Sequence, residues 1–297
     1  MSTPYASAAP YYARYRPPYP AELYALLADR FALDGSQTVL DLGAGPGTIS
    51  LPLAPLAEHV YAVDPEPAML AEGCRLAEEQ GRRNISWLRG DAAGIGRLCL
   101  PRIDLCVIGG AFHRMDRVRV PVDLEAMLAP RGGIAVVTSV AAAWPAVVDE
   151  VRARFLGPDH DTAHGAATRP ATSEPAAEPS DEPADMEEVR DVEDHLAKSA
   201  FSRVETTTWE RSTRCTVDQV IGLQFSRACS SPALFGERKG AFESELRHGL
   251  LDHYPSGTCT RTVTVAGTPA PPPPGGARGA VTYTARPRGG GGATRRA

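Results

Sequence analysis

Short apolar runs alternate with segments of helical character through the first half of the chain. The apolar runs predict strands at residues 38–42, 59–63, 85–88, 103–108 and 133–140. The segments around them predict helices at residues 21–31, 48–57, 67–81 and 117–129. Strands that alternate with helices form a parallel sheet that is covered on both faces. The pattern therefore predicts an α/β, doubly wound domain.

The second half of the chain changes character after a predicted helix at residues 144–156. Residues 157–185 hold five prolines, many alanines and several acids, with almost no large apolar residues. Such a segment cannot bury enough surface to offset its ordering entropy, so we expect a disordered acidic insertion. Order then resumes with a helix at 186–199, a strand at 201–209, two or three helices at 216–254 and a strand at 258–266.

The last two predicted strands form a closing antiparallel pair, with a helical cap inserted between them at residues 210–257. The predicted fold is thus a Rossmann-like, doubly wound, seven-stranded and mostly parallel sheet with one antiparallel strand. This domain spans residues 1–266. Residues 267–297 are rich in proline, glycine and arginine and predict a disordered tail.

Composition narrows the classes of partner. Of 297 residues, 43% are hydrophobic, and the net charge is −5 from 31 basic and 36 acidic residues. No basic patch dominates the folded part, which argues against a nucleic-acid partner, and no apolar stretch reaches membrane-spanning length. Residues 1–20 lack the apolar centre of a secretion signal, so we expect a cytoplasmic protein that is a monomer or a homodimer.

The cysteines and histidines show no metal-binding spacing. Six cysteines are scattered without a C-x-x-C pair, which favours reduced structural thiols. His160 and His164 are four residues apart but lie in the proline-rich insertion. We therefore expect no catalytic metal.

The most informative stretch is residues 39–50, VLDLGAGPGTIS. An apolar strand there runs into Gly43, Gly45 and Gly47, whose missing Cβ atoms let the backbone turn sharply against a ligand. Seventeen residues after Gly47, the next predicted run is followed by Asp64. A glycine-rich turn followed by a carboxylate at the next strand end is typical of a nucleoside site, in which the acid binds the ribose hydroxyls.

Two kinds of nucleoside cofactor fit such a loop. A nicotinamide dinucleotide site follows G-x-G-x-x-G/A, whereas this frame places Thr48 at the last position. Residues 41–48, DLGAGPGT, instead resemble motif I of the class I methyltransferases that use S-adenosylmethionine (SAM).

Further segments resemble the type 11, small-molecule group of these methyltransferases. Residues 112–116, FHRMD, are similar to its F-H-W-M-D stretch, with Arg114 where a tryptophan is usual. Residues 15–20, YRPPYP, are similar to its Y-x-R-P-x-Y-P element, which folds over the cofactor. Residues 216–238 resemble the helical cap of actinobacterial relatives.

The resemblance implies SAM as the cofactor and assigns roles around it. Asp64 would bind the ribose, Asp91 would accept from the adenine amino group, and the Ala92 N–H would contact the ring. Arg16 would pair with the methionine carboxylate. The other expected cofactor positions are Asp41, Gly43, Ala44, Gly45, Gly47, Pro65, Met69 and Gly109.

Several of these residues also have purely structural interpretations. Asp64 could cap the following helix, Asp91 could serve a turn, and Met69 could be plain core. His113 is the histidine placed after the fourth strand, beside the expected site, so it is the candidate that deprotonates or orients the acceptor. Its alternative is a packing or hydrogen-bonding role.

We therefore expect an enzyme that transfers a methyl group from SAM to a small-molecule acceptor, without nucleic-acid or membrane partners. A SAM-binding protein that has lost methyl transfer, such as a cyclase-like protein or a sensor, is the alternative. A nucleotide-dependent oxidoreductase is disfavoured by Thr48 and by the pairing of Asp64 with residues 90–92, GDA. The cap could serve as a lid or as a dimer surface.

Overall fold

A single seven-stranded sheet organises the computed structural model, which describes residues 5–158, 187–201 and 203–271. The strands are β1 (Thr38–Leu42), β2 (His59–Asp64), β3 (Ile85–Arg89), β4 (Ile103–Gly109), β5 (Leu128–Ala141), β6 (Thr207–Thr216) and β7 (Thr258–Ala270). Their order across the sheet is β3-β2-β1-β4-β5-β7-β6.

Strands β1 to β5 run parallel, and β7 runs antiparallel to both of its neighbours, β5 and β6. The crossover from β3 back to β4, on the far side of β1, makes the sheet doubly wound. Ligands bind beyond the carboxyl ends of strands at such a switch point. The predicted Rossmann-like fold with one antiparallel strand is confirmed.

Helices cover both faces of the sheet and build the cap. They are α1 (Ala9–Tyr15), α2 (Ala21–Phe31), α3 (Ser50–Leu53), α4 (Pro67–Glu79), α5 (Arg119–Glu125), α6 (Ala146–Leu156), α7 (Glu187–Ala197), α8 (Val217–Phe225), α9 (Pro232–Phe235) and α10 (Lys239–His253). Short 3₁₀ turns occupy Ala54–Leu56, Ala92–Leu98, Phe112–Arg114, Ala228–Ser230 and Gly236–Arg238.

Three apolar clusters hold these layers together. Leu23 and Leu27 of α2 pack on one face of the central strands, and Val192 and Leu196 of α7 pack on the other. A separate cluster joins α6, α8, α9 and α10, with Phe235 and Phe242 stacked at a ring distance of 4.0 Å. The cap is therefore a small core of its own beside the sheet.

The cap and the strands that flank it differ in extent from the prediction. Strand β6 lies at Thr207–Thr216, not at 201–209, so the cap begins at Val217 and not at residue 210. Residues Glu210 to Arg214 are exposed, because β6 is an edge strand that pairs only with β7. An edge strand of this kind lacks the half-buried alternation from which strands are predicted.

Strand β7 continues to Ala270, four residues past the predicted domain end at 266. Gly267–Ala270 are buried because they pair with residues 134–137 of β5. They belong to the sheet and not to the predicted tail. The rest of that tail from 272, and residues 159–185 of the predicted insertion, lie outside the described residues.

Strand β5 begins at Leu128 and not at residue 133, so residues 128–132 also belong to it. The pairing register between β4 and β5 changes between Ile103 and Leu105 of β4, and this change accommodates the irregular start of β5. Gly132 approaches β4 so closely that an added Cβ would lie 2.4 Å from the Ile103 carbonyl oxygen. The helix predicted at 48–57 is confined to α3 and a 3₁₀ turn that includes Pro55, whose missing N–H ends regular α-helical bonding.

Candidate functional site

The glycine-rich loop between β1 and α3 turns through three left-handed positions, with φ of +79° at Gly43, +55° at Gly45 and +82° at Gly47. The N–H groups of Gly43 and Ala44 donate to the Val63 carbonyl oxygen at 2.8 and 3.0 Å. These bonds hold the loop against the end of β2. Residues other than glycine rarely adopt these φ values, so the sequence is constrained by the turn itself.

Gly45 is the glycine whose missing side chain leaves open space. No heavy atom lies within 4 Å of a Cβ built there, whereas a Cβ at Gly43 would lie 2.6 Å from that of Ala111. The Gly45 N–H donates to Oδ2 of Asp64 at 2.9 Å. The loop backbone is thus exposed to a ligand at Gly45 and packed against protein at Gly43.

Asp64 ends β2 with both carboxylate oxygens hydrogen-bonded to backbone. Oδ1 accepts the Glu66 N–H at 2.9 Å, and Oδ2 accepts that of Gly45. Burial raises the pKa of Asp64, and the two backbone hydrogen bonds oppose that shift. Each oxygen keeps a lone pair, so the carboxylate is oriented and still able to accept from two neighbouring hydroxyls.

Asp41 lies beneath the loop and takes no part in the cavity wall. It is 1% exposed, and the Ser50 hydroxyl donates to its Oδ2 at 2.6 Å. Burial raises its pKa to about 7, and the nearby Asp64 charge adds to this shift. The expected cofactor residue is therefore an internal support that ties β1 to α3.

Gly47 is also occupied by protein and not by a ligand surface. A Cβ at Gly47 would lie 2.5 Å from the Trp87 ring, and one at Gly73 of α4 would lie 2.3 Å from it. The two glycines make room for the indole of β3 between the loop and α4. Gly47 therefore serves helix–strand packing.

A cavity of about 610 Å³ opens at the carboxyl ends of β1, β2 and β4. Eight of the expected cofactor residues line it. They are Gly43, Gly45, Asp64, Pro65, Met69, Asp91, Ala92 and Gly109. Asp91 caps the 3₁₀ turn that follows, since its Oδ1 accepts the Gly94 N–H at 2.7 Å. Its structural role and its place in the cavity wall therefore coexist.

The other five expected residues, namely Arg16, Asp41, Ala44, Gly47 and His113, do not line this cavity. Arg16 follows α1, and its Nε donates to the Ser226 hydroxyl at 3.0 Å. Its guanidinium carbon lies 4.9 Å from the centre of the Tyr12 ring. Arg16 is thus held against the cap and one ring away from the cavity.

The imidazole of His113 faces α7 and not the cavity. Its Nδ1 lies 3.4 Å from Oε1 of Glu188, and the Nε of Arg114 donates to its Nε2 at 3.2 Å. The hydrogen bond with His113 lowers the pKa of Glu188. Arg114, the next residue, lines the cavity in its place. The geometry gives no support to His113 as the base, and that assignment stays a prediction.

Several cavity residues were not expected from the sequence. Tyr5 and Tyr12 come from residues 5–20, which we call the N-terminal arm. The Arg114 guanidinium carbon lies 4.8 Å from the centre of the Tyr5 ring. Arg119 and Asp123 of α5 form an ion pair at 2.8 Å on the same rim. The tyrosine-rich composition of residues 1–20 was the signal that could have drawn attention to the arm.

The arm, and not the cap, covers the cavity. Within the described residues, none from α8, α9 or α10 lines it. Helix α1 lies between, with the ring of Tyr11 5.1 Å from that of Phe225 on α8. The cap therefore does not form the lid that the sequence predicted. The arm covers the cavity, and the cap packs against the arm.

The residues present fit an adenosine-containing cofactor. Because Gly45 has no Cβ and no heavy atom lies within 4 Å of where one would be, a ligand can lie against the loop backbone there. Asp64 presents the free lone pairs of its carboxylate beside this space. Met69, 3% exposed, and Ala92 supply apolar wall where a base ring could pack. No described helix is long and apolar enough to cross a membrane. Across the described ranges, no three His, Cys, Asp or Glu side chains lie together as ligands for a metal ion.

Comparison with known proteins agrees with this geometry. Residues 39–132 match the family described as "Methyltransferase domain". An uncharacterized methyltransferase of Mycobacterium tuberculosis is 31% identical over 173 residues, which cover 57% of this chain and 65% of that protein. An uncharacterized RNA methyltransferase of Halalkalibacterium halodurans is 45% identical over 60 residues, 20% of this chain and 13% of that protein.

A solved methyltransferase structure from Anaeromyxobacter dehalogenans aligns with 86% of this chain and 97% of its own, with a TM-score of 0.49 and 20% identity. The chain spans less than two thirds of the length of either of the two relatives named above. The matched residues contain the glycine-rich loop, Asp64 and Asp91. Residues 39–132 therefore form a methyltransferase domain.

Proposed function

We propose that this chain transfers a methyl group from SAM to a small-molecule acceptor. One observation carries the proposal. The Gly45 N–H of the glycine-rich loop donates to Asp64, and both residues line a cavity of about 610 Å³. This size lies within the range of small-molecule sites. The acidic balance of the chain, with a net charge of −5, argues against an RNA acceptor.

The residues that would hold the cofactor divide by the part they meet. Asp64 would accept from the ribose hydroxyls, and Gly45 would admit the ligand against the loop backbone. Asp91, Ala92 and Met69 would bind the adenine end. When bound, SAM would supply a methyl group activated by its sulfonium, whose sulfur would leave as the thioether of S-adenosylhomocysteine.

The protein contributes alignment and exclusion of water to such a reaction. Alignment of two reactants can supply up to roughly 7–11 kcal/mol of the barrier. Tyr5 and Tyr12 of the arm cover the cavity opposite the strand ends, and Arg114 stacks on Tyr5. We assign the acceptor end of the cavity to this side. We assign no general base, because the geometry does not bring His113 to the cavity.

Finer properties stay predictions. They are membership of the type 11 group and its actinobacterial branch, a cytoplasmic location, and a monomeric or homodimeric state. The domain limits, with an acidic insertion at 157–185, are likewise proposals. The chief alternative function is a protein that binds SAM without methyl transfer.

Product analysis tests the proposal. The purified chain is incubated with SAM and fractionated small molecules, and mass spectrometry measures S-adenosylhomocysteine (SAH) and methylated product. We expect equal amounts of the two, lost in the Asp64→Ala variant and kept in Glu79→Gln, an exposed change on α4. Binding of SAM with no SAH formed in any fraction would favour the alternative.

A further inference from the structure

Three arginines from distant parts of the chain lie close enough beside the cap for their charges to repel each other. Arg16 follows α1, and its Nε donates to the hydroxyl of Ser226 at 3.0 Å. Arg227 is the next residue along the chain. Arg261 lies on β7, with its guanidinium carbon 4.2 Å from the centre of the Trp144 ring. We call these three residues the arginine cluster.

The charges of the arginine cluster have no acidic partner. Other arginines on the helices, such as Arg75 and Arg119, have a carboxylate within 4 Å. Among the described residues, none lies that close to Arg16, Arg227 or Arg261. Arg16 is exposed, and the other two are half-buried.

The charge of Arg261 is the least satisfied of the three. Its Nε is buried and has no hydrogen-bond partner among the described residues. Burial, followed by repulsion from Arg16 and Arg227, lowers the pKa of Arg261. A buried cation without a partner is costly, and converging cations repel each other. A bound anion would remove both penalties.

The arginine cluster adjoins the cavity at Tyr12. The Arg16 guanidinium carbon lies 4.9 Å from the centre of the Tyr12 ring, and Tyr12 itself lines the cavity. Burial raises the pKa of Tyr5, which lies in the same wall, and the charges of Arg114 and Arg16 oppose that shift. Positive charge from Arg16 and Arg114 therefore lies beside Tyr5 and Tyr12 in the cavity wall.

We propose that Arg16, Arg227 and Arg261 bind a carboxylate or phosphate group of the acceptor, next to the cavity wall at Tyr12. This inference rests on the proposed function, because it places the acceptor in that cavity. Guanidinium groups suit these anions because their forked N–H donors match two oxygens at once. The acceptor is accordingly an anionic small molecule that reaches past Tyr12.

Inorganic phosphate serves as the probe. Thermal unfolding of the full chain, saturated with SAH, is measured in millimolar sodium phosphate and in sodium chloride of equal ionic strength. A ligand that binds the folded state raises the unfolding temperature in a saturable way. We expect this rise in the wild type, and its loss in Arg227→Gln and Arg261→Gln. Arg211→Gln, an exposed change on β6, should keep the rise.

A second expectation concerns the variants without phosphate. Because each removes one repelling charge, Arg227→Gln should unfold at the same or a higher temperature than the wild type. In phosphate the order should reverse. Should Arg261→Gln fail to fold after losing its stacking on Trp144, Arg227→Gln still decides the matter. Equal phosphate-dependent rises in Arg227→Gln and the wild type would overturn the proposal.

The methionine carboxylate of the cofactor is the rival source of the anion. We expect Arg227→Gln to bind SAH as tightly as the wild type. Methylthioadenosine lacks that carboxylate. If Arg227→Gln lowered the affinity for SAH about tenfold and left the affinity for methylthioadenosine unchanged, the arginine cluster would belong to the cofactor and the proposal would be overturned. Failure of SAH to bind at all would instead contradict the proposed function, and is read separately from the phosphate effect.

Discussion

The Gly45 N–H donates to Oδ2 of Asp64 at 2.9 Å, which joins the glycine-rich loop after β1 to the carboxylate that ends β2. The two residues are 19 positions apart in the sequence. Parallel pairing of β1 with β2 brings their carboxyl ends together, with Leu42 opposite Val63. The site is therefore a direct product of the strand register, and a slip of that register would dismantle it.

Gly45 and Gly47 should fail differently when changed to alanine. Gly47→Ala sets a Cβ 2.5 Å from Trp87 at a φ of +82°, so we expect a loss of about 1–3 kcal/mol in unfolding free energy. Gly45→Ala meets no heavy atom within 4 Å, so its cost to stability is that of a φ of +55° alone, but it fills the ligand face. We therefore expect it to weaken the free energy of SAH binding by more than the free energy of unfolding. Urea unfolding and calorimetric titration measure the two effects. The same pattern of loss in both variants would contradict this assignment of roles.

Asp41 should make stability depend on pH. Its pKa rises from 3.8 to about 7 on folding, so the folded state binds more protons than the unfolded chain between these values. Stability contributed at low pH is then lost as the pH rises through about 7, with a slope of about 1.4 kcal/mol per pH unit. Relative to the wild type, Asp41→Asn should gain stability as the pH rises from about 4 to about 7, and the difference should level off above that. Parallel urea-unfolding profiles for the two proteins would refute this.

The contact between α1 and α8 should control access to the cavity. A Cβ at Gly222 would lie 2.4 Å from the Tyr15 ring, so Gly222→Ala should push α1 away from the cap. We expect faster amide exchange over residues 9–15 and weaker SAH binding, because Tyr12 leaves the cavity wall. Gly240→Ala on α10 is the matched control, since it meets no atom within 4 Å. Unchanged exchange in Gly222→Ala would count against the arm as the cover.

His113→Ala should leave methyl transfer intact. The imidazole contacts Glu188 of α7 and not the cavity, so turnover should stay within about twofold across the pH range. Glu188 should titrate at higher pH in the variant, because its hydrogen bond with His113 lowers its pKa. Loss of about a hundredfold or more in turnover, with SAH affinity kept, would restore His113 as the general base.

Sequence spacing predicts the part of the site that follows from strand ends. The loop at residues 43–47 and Asp64 stand directly after apolar runs, and Asp91 lies three residues after the next run. Parallel pairing brings such positions together. The closing strand pair was also predictable, whereas the limits of β6 were not, because an exposed edge strand has no apolar face.

The remaining site residues depend on tertiary packing. Tyr12 lines the cavity from α1, and α1 packs on the cap through Tyr11 and Phe225, a contact that no local pattern encodes. His113 and Arg114 lie in one 3₁₀ turn, and its rotation decides which of them faces the cavity. Gly47 shares the loop pattern with Gly45 but makes room for an indole from β3.

Calorimetric titration of the purified full chain with SAH tests the central claim most directly. We expect saturable binding at one site per chain, and a loss of roughly 10- to 150-fold in Asp64→Asn, since hydrogen bonds to a charged group contribute about 1.5–3 kcal/mol each. Glu79→Gln should bind as the wild type does. No detectable binding of SAH to the wild type, or equal affinity in a folded Asp64→Asn variant, would contradict the account.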